Sequence, residues 1–388
     1  MTWFARRSDL NGCMNHRHAH AVLAKGAVAA LMLLAIIGDA GVGASSSTPL
    51  RPLLIVKVPS TNVLYILGNV GCSTAACLHL VRTTTSFSSE VAVTLPPVSK
   101  VRGIASGSLG QVAFANSSDG YALDEVDGVT DLYVTRDGAK SWHRQTFARH
   151  DVVTRIVTTA TSVILVAMQC SKQTNGDTGC SHYELLQSGL SGQHWRSSLV
   201  PNGSVTPWGF FGNPTAFATT VWLSEQFHHS LLLTSHNGGV TYATRRVADL
   251  ISVAGCDLTA TSLTTLWAEC PTGMFASLFF SSDGGSTWTS LLGTHGLAFA
   301  GTGGGAFDPV SATLAYIDVG QVVKSGNIYR VTNHGRTVRS VGNLKCPNML
   351  SLDFFNERDG LGVCSDYSRT YFVRSSDGGA HWHRFELR

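Results

Sequence analysis

Apolar and polar positions alternate in short bursts along most of this chain, and glycine, aspartate and asparagine separate the bursts. The C-terminal stretch shows the order. It reads Met349-Leu350-Ser351-Leu352-Asp353-Phe354, a turn at Arg358-Asp359-Gly360, then Leu361-Gly362-Val363. Thr370-Tyr371-Phe372-Val373-Arg374 follows, then a second turn at Asp377-Gly378-Gly379, and His381-Trp382-His383-Arg384-Phe385. Such runs, bounded by turn residues, predict four short β-strands. Residues 111–115, 121–123 and 132–135 repeat the order, as do 155–158, 163–168 and 182–186. No segment carries a sustained helical period.

The turn before the last strand also recurs. Residues 281–288 read Ser-Ser-Asp-Gly-Gly-Ser-Thr-Trp and 375–382 read Ser-Ser-Asp-Gly-Gly-Ala-His-Trp. Residues 135–142 (Thr-Arg-Asp-Gly-Ala-Lys-Ser-Trp) and 235–242 (Ser-His-Asn-Gly-Gly-Val-Thr-Tyr) are close variants. Residues 188–195 and 332–338 are eroded copies, and the period demands a seventh near 82–87. The closing residues fall at 87, 142, 195, 242, 288, 338 and 382, at intervals of 44 to 55. That period is one of propeller blades. Seven four-stranded antiparallel units predict an all-β, seven-bladed β-propeller over residues 45–388, in which stacked sheets bury each other's faces.

The turn has a structural chemistry. Gly285, like Gly239 and Gly379, is expected to adopt positive φ. Asp283, and in the other copies Asp137, Asn237 and Asp377, accept bonds from the amides of their own turn. The hydroxyls of Ser281 and Thr287, and of Ser141, Ser235 and Ser375, close the hairpin. Trp288, Trp142, Tyr242 and Trp382 pack between neighbouring sheets. None of this requires a substrate, a cofactor or a metal.

At these residues the chain resembles the BNR or Asp-box repeat family, whose pattern is Ser-x-Asp-x-Gly-x-Thr-Trp. The likeness covers residues 50–388, and the match at 281–288 is complete. The family includes sialidases, xyloglucan hydrolases, sortilin-type receptors and lumenal photosystem II assembly factors. The "DGYAL" and "DGLGV" approaches and the "SWHR" and "HWHR" exits are most similar to bacterial exported relatives of the assembly factors. The resemblance implies that the boxes lie on the blade periphery, opposite a ligand face built from the strand 2–3 loops and the inter-blade loops.

Composition narrows the class. Hydrophobic residues make up 44% and charged residues 14% of the 388, enough for a large core and against disorder. A net charge of +3 provides no basic field for nucleic acid. Residues 1–44 read as a signal peptide: Arg6, Arg7, Arg17 and Lys25 precede an apolar core at 27–37, followed by Gly41-Val42-Gly43-Ala44. That core is too short for the ~20 residues a membrane span needs, so no span is expected in the mature chain. An uncleaved N-terminal anchor is the alternative. Beyond the targeting segment eight cysteines remain, which in principle allow 105 connectivities. They fall in four close pairs, predicting disulfides Cys72–Cys77, Cys170–Cys180, Cys256–Cys270 and Cys346–Cys364 in an exported monomer.

Candidate chemistry is sparse. A sialidase needs an arginine triad with a Tyr–Glu nucleophile pair. Arg51, Arg155, Arg245, Arg246 and Arg339 lack that setting, and Glu184, Glu225 and Glu269 read as solvated. The acidic stretch 124–131 reads as a loop, with calcium binding the rival reading. His228-His229 reads as surface, and Trp208 with Phe210-Phe211 as packing. The expectation is a non-catalytic propeller that binds a protein or glycan on its loop face. The alternative is a sialidase-type exo-glycosidase with its pocket there.

Overall fold

The computed structural model describes residues 49–387 apart from 60, 72–77, 88, 97–108, 127–128, 146–150, 173–177, 205–209, 212, 227–229, 248–249, 251–255, 272–274, 292–298, 301–305, 319–326, 345 and 367–368. The chain divides into units Met1–Ser46 and Ser47–Arg388. The first, with the predicted signal peptide, lies outside the described residues.

The second unit holds seven antiparallel sheets, spanning 50–93, 109–145, 151–204, 210–246, 257–300, 306–343 and 348–385. Each is built from one continuous segment whose strands pair in chain order. In blade 4 the first strand is broken into Phe210–Phe211 and Thr215–Phe217, and in blade 5 Thr289–Ser290 and Phe299–Ala300 share the third strand as partner. The fold is a seven-bladed β-propeller.

The strands run longer than the sequence pattern suggests. Blade 3 has strands Asp151–Thr158, Ser162–Lys172 and Thr178–Gly189 where shorter runs were expected. Their polar ends still satisfy the ladder, which a hydrophobic pattern does not report. The expected loop at 124–131 is corrected in the same way. It is mostly strand: Asp124 and Asp131 stand opposite each other across a hairpin and are buried. Arg144 pairs with Asp131 at 2.7 Å.

Because each sheet lies between two others, its second strand is buried on both faces. Residues 63–67 (Val-Leu-Tyr-Ile-Leu) and 163–167 (Val-Ile-Leu-Val-Ala) are accordingly apolar without a break. Apolar clusters fill every seam, among them Tyr65, Leu67 and Phe114 between blades 1 and 2 and Trp222, Leu258 and Trp288 between blades 4 and 5. The ring closes through Ile66 and Leu64 of blade 1 against Leu361 and Val363 of blade 7. One backbone bond, Leu50 N to Leu387 O at 3.1 Å, joins the two ends of the unit.

Candidate functional site

The recurring turns join the third strand of a blade to its fourth. In blade 5 the Gly285 amide donates to Ser281 Oγ at 2.9 Å, and Ser281 Oγ donates to Asp283 Oδ1 at 2.8 Å. Thr287 donates its amide to Oδ1 at 2.9 Å and its hydroxyl to Oδ2 at 2.7 Å. Blades 2, 4 and 7 repeat the lattice with Thr135–Asp137–Ser141, Ser235–Asn237–Thr241 and Ser375–Asp377–His381. Asn237 has only one acceptor oxygen, so its amide instead donates to Thr241 Oγ1 at 2.8 Å. Gly285 has φ 89° and Ala139, its counterpart in blade 2, has φ 67°, a left-handed conformation that costs a non-glycine residue. The bonds depress the carboxylates. Asp137 is lowered to about 2, first by the Ser141 hydroxyl and then by its amide. Asp377 is lowered to about 2 by the His381 amide and then by the His381 side chain. At Asp283 desolvation pushes upward, and the Thr287 hydroxyl and amide outweigh it.

Each corner also grips the strand 1–2 turn of its own blade. The amides of Gly138, Gly238, Gly284 and Gly378 donate to the carbonyls of Ser118, Thr219, Thr264 and Arg358 at 2.8–3.0 Å. Corners and strand 1–2 turns therefore share one face of the ring.

At the centre of that face is a cavity of about 1440 Å³. Its wall is the outgoing end of the first strand in all seven blades: Lys57, Ala115, Thr158, Ala216, Thr259, Asp308 and Asp353 with their neighbours. Most of the wall is neutral, with Phe217 40% exposed at its rim. The charged part is one cluster. Lys57 Nζ lies 3.1 Å from Asp308 Oδ1, 3.2 Å from Asp353 Oδ1 and 3.1 Å from the Phe354 carbonyl. The Phe354 amide donates to Asp308, and Ser351 Oγ donates to Asp353 at 2.7 Å. Desolvation opposes the charge on Lys57, but the two carboxylates outweigh it and raise its pKa. Burial pushes the Asp308 carboxyl up against the pull of the Lys57 charge, and the Asp353 charge adds to that push.

The structure joins Cys256 to Cys270 and Cys346 to Cys364, across the first hairpins of blades 5 and 7. Cys170 and Cys180 are cross-strand partners in the backbone register, and Cys72 and Cys77 lie outside the described residues. Glu184 and Glu269 correct the expectation of solvated carboxylates. Glu184 is buried and accepts a bond from Ser197 Oγ. Glu269 stands across the ladder from Asp257, and burial, then the Asp257 charge, push it up to about 7. The candidate arginines are not brought together. Arg51 is the second residue of the first strand of blade 1, and Arg155 lies on the first strand of blade 3. Arg245, Arg246 and Arg339 stand on outermost strands. Phe210-Phe211 form a short inner strand, while Trp208, His228 and His229 fall outside the described residues, as do many of the strand 2–3 and inter-blade loops. The main described cavity thus opens on the corner face, not on the expected loop face. None of the corner residues named above lines it. Among the described residues no group of three metal-ligating side chains occurs.

Sequence reasoning missed the bolts between blades. Second-strand aromatics reach across to the next blade: Tyr65 to Ser117 O, Tyr121 to Leu190 O, Trp222 to Gly284 O, Trp267 to Ser311 O and Tyr316 to Glu357 O, at 2.6–3.4 Å. The signal was an aromatic with a polar tip inside the apolar second strands of blades 1, 2, 4, 5 and 6. A second motif, Phe-x-Asn-x-x-Asp-Gly at 114–120 and 354–360, was also legible. Asn116 and Asn356 each fold that turn by accepting two amide bonds.

No family model matches the chain, and no curated protein matches its sequence. Solved structures do match in shape. The β-propeller domain of a trilobed protease from Pyrococcus furiosus, described as having an open velcro topology, aligns over 88% of this chain and 96% of its own, with 5% identity and TM-score 0.56. A puromycin hydrolase aligns over 86% of this chain but only 54% of its own, with 14% identity and TM-score 0.57. YCF48 from Cyanidioschyzon merolae aligns over 71% of this chain and 83% of its own, with 15% identity and TM-score 0.47. The first two likenesses show the fold.

Proposed function

We propose that the protein is an exported, non-catalytic binding propeller that receives a partner protein or glycan at the channel mouth on its corner face. The observation that carries this reading is the seven-walled cavity of about 1440 Å³. Concave sites with a few convergent polar groups are where ligands bind, and stacked sheets hold such turns rigidly. The only ionisable residues of Asp, Glu, Lys or Arg type on that wall among the described residues are Lys57, Asp308 and Asp353, which satisfy one another. The corner turns, read as Asp-boxes, brace the rim and perform no chemistry. Export is supported by the charged-then-apolar N-terminal segment and by the joined cysteine pairs.

A photo-crosslinking residue placed at Phe217, in the secreting cell, is expected to capture a discrete partner, whereas one at Arg384 on an outermost strand does not. Equal capture at both positions, or none at Phe217, contradicts the assignment. Turnover of a fluorogenic sialoside by the purified protein would overturn the non-catalytic part.

A further inference from the structure

The seam between blades 6 and 7 and the seam between blades 1 and 2 are built to one plan, and they differ in what meets one arginine. In the first, Tyr316 stacks on Phe354 with ring centroids 3.5 Å apart, and Phe354 meets Trp382 edge-on at 5.8 Å. In the second, Tyr65 stacks on Phe114 at 3.7 Å, and Phe114 meets Trp142 at 6.3 Å. Each tyrosine hydroxyl donates to a carbonyl in the facing turn, of Glu357 or of Ser117. Each tyrosine also has an arginine as its third-strand partner, Arg330 or Arg82. Both arginines bury Nε without a hydrogen-bond partner among the described residues. There the likeness ends. Arg330 donates a terminal amino group to Glu357 Oε2 at 2.7 Å. At the equivalent place in the turn stands Ser117, whose side chain carries no charge. The Arg82 guanidinium lies against the Tyr65 hydroxyl, and among the described residues no carboxylate forms an ion pair with Arg82.

The space is open. Arg82, Ser117, Ser118, Val91, Asp137 and Lys140 are among the walls of a cavity of about 620 Å³ at this seam. Val91, opposite Arg82 on the outermost strand, is 51% exposed, where the other seam has Arg339 opposite Arg330. The Asp137 carboxylate does not substitute for the absent glutamate. Its oxygens are taken by Thr135, Lys140 and Ser141 within its own corner. Asp377 holds the same corner position in blade 7, with its oxygens likewise taken by Ser375 and His381.

We propose that the cavity between blades 1 and 2 is a carboxylate-binding site in which a ligand supplies to Arg82 the group that Glu357 supplies to Arg330. A guanidinium fork matches a carboxylate in two bonds, and Ser117, Ser118 and Lys140 add donors around it. This site lies at the rim and does not depend on the channel-mouth reading.

Isothermal titration in a carboxylate-free chloride buffer tests it, with glutarate and with the peptide N-acetyl-Glu-Glu-amide as probes and N-acetyl-Gln-Gln-amide as the neutral control. The native protein is expected to bind an acidic probe and not the neutral one. Arg82→Gln removes the fork, and Ser117→Glu, at an exposed position, fills the site from within. Each should weaken binding by about tenfold or more, while Glu357→Gln leaves it unchanged. Binding of both acidic probes identifies a free carboxylate as sufficient, and binding of the peptide alone identifies an acidic protein segment. No binding of either acidic probe, or binding that survives Arg82→Gln or Ser117→Glu, overturns the proposal.

Discussion

The seams on either side of blade 7 solve the same packing problem with different chemistry. Between blades 6 and 7, an aromatic stack of Tyr316, Phe354 and Trp382 fills the gap, and the Tyr316 hydroxyl donates to Glu357 O at 2.8 Å. Between blades 7 and 1 no second-strand aromatic reaches across among the described residues. Leu361, Val363 and Phe372 pack on Leu64 and Ile66, and beside the Leu50–Leu387 backbone bond the side-chain tie is Lys57 held by Asp353 and Asp308. Blades 6 and 7 follow one another in sequence, so their seam forms from near neighbours. The closing seam joins the two ends of the propeller, and loop-closure entropy opposes it most. A charge cluster bridging three blades is a directional tie where chain connectivity supplies none.

The largest effect is expected from the aromatic seam. Phe354→Ala should cost about 4 kcal/mol in urea unfolding, since it removes the ring between Tyr316 and Trp382. Lys57→Met should cost about 3 kcal/mol, because it strands two carboxylates in the channel wall, and Asp308→Asn placed on top should recover part of the loss. A smaller effect comes from Glu269 of blade 5. Glu269 is raised to about 7 in the folded protein, above its unfolded value, so its contribution is present in acid and lost as pH rises towards 7. Glu269→Gln should flatten that slope and stabilise the protein at pH 8 on the order of 2 kcal/mol. The corners titrate oppositely. Asp137 and Asp377 are lowered to about 2, so their contribution holds above the ordinary carboxylate range and fades as pH falls towards 2. Thermal melts between pH 5 and 2 should show this acid loss, and Asp377→Asn should reduce it. Tyr316→Phe should cost about 1 kcal/mol, and Tyr65→Phe least of all, since its bond is longer at 3.4 Å.

The blade plan was legible because turn chemistry is local. Asp283 and Gly285 act within one hairpin, so their spacing in sequence is their spacing in space. Alternating apolar runs located the strands but not their ends, since Asp124 and Asp131 read as loop residues and are buried opposite each other. The channel mouth was not legible. Lys57 lies 251 residues from Asp308, and nothing near either residue announces the other. Glu184 and Glu269 misled for a related reason: an isolated carboxylate in a strand reads as solvated until the neighbouring blade covers it. The polar tips of Tyr65, Trp222 and Tyr316 carried a signal, but their partners belong to the next repeat.

Ring closure by side chains, without a shared strand, is the claim on which the architecture depends. A double-mutant cycle of Lys57→Met and Asp308→Asn, read by urea unfolding, tests it most directly. A coupling of about 1–3 kcal/mol is expected. Single-mutant effects that add to within about 0.5 kcal/mol would contradict the clasp.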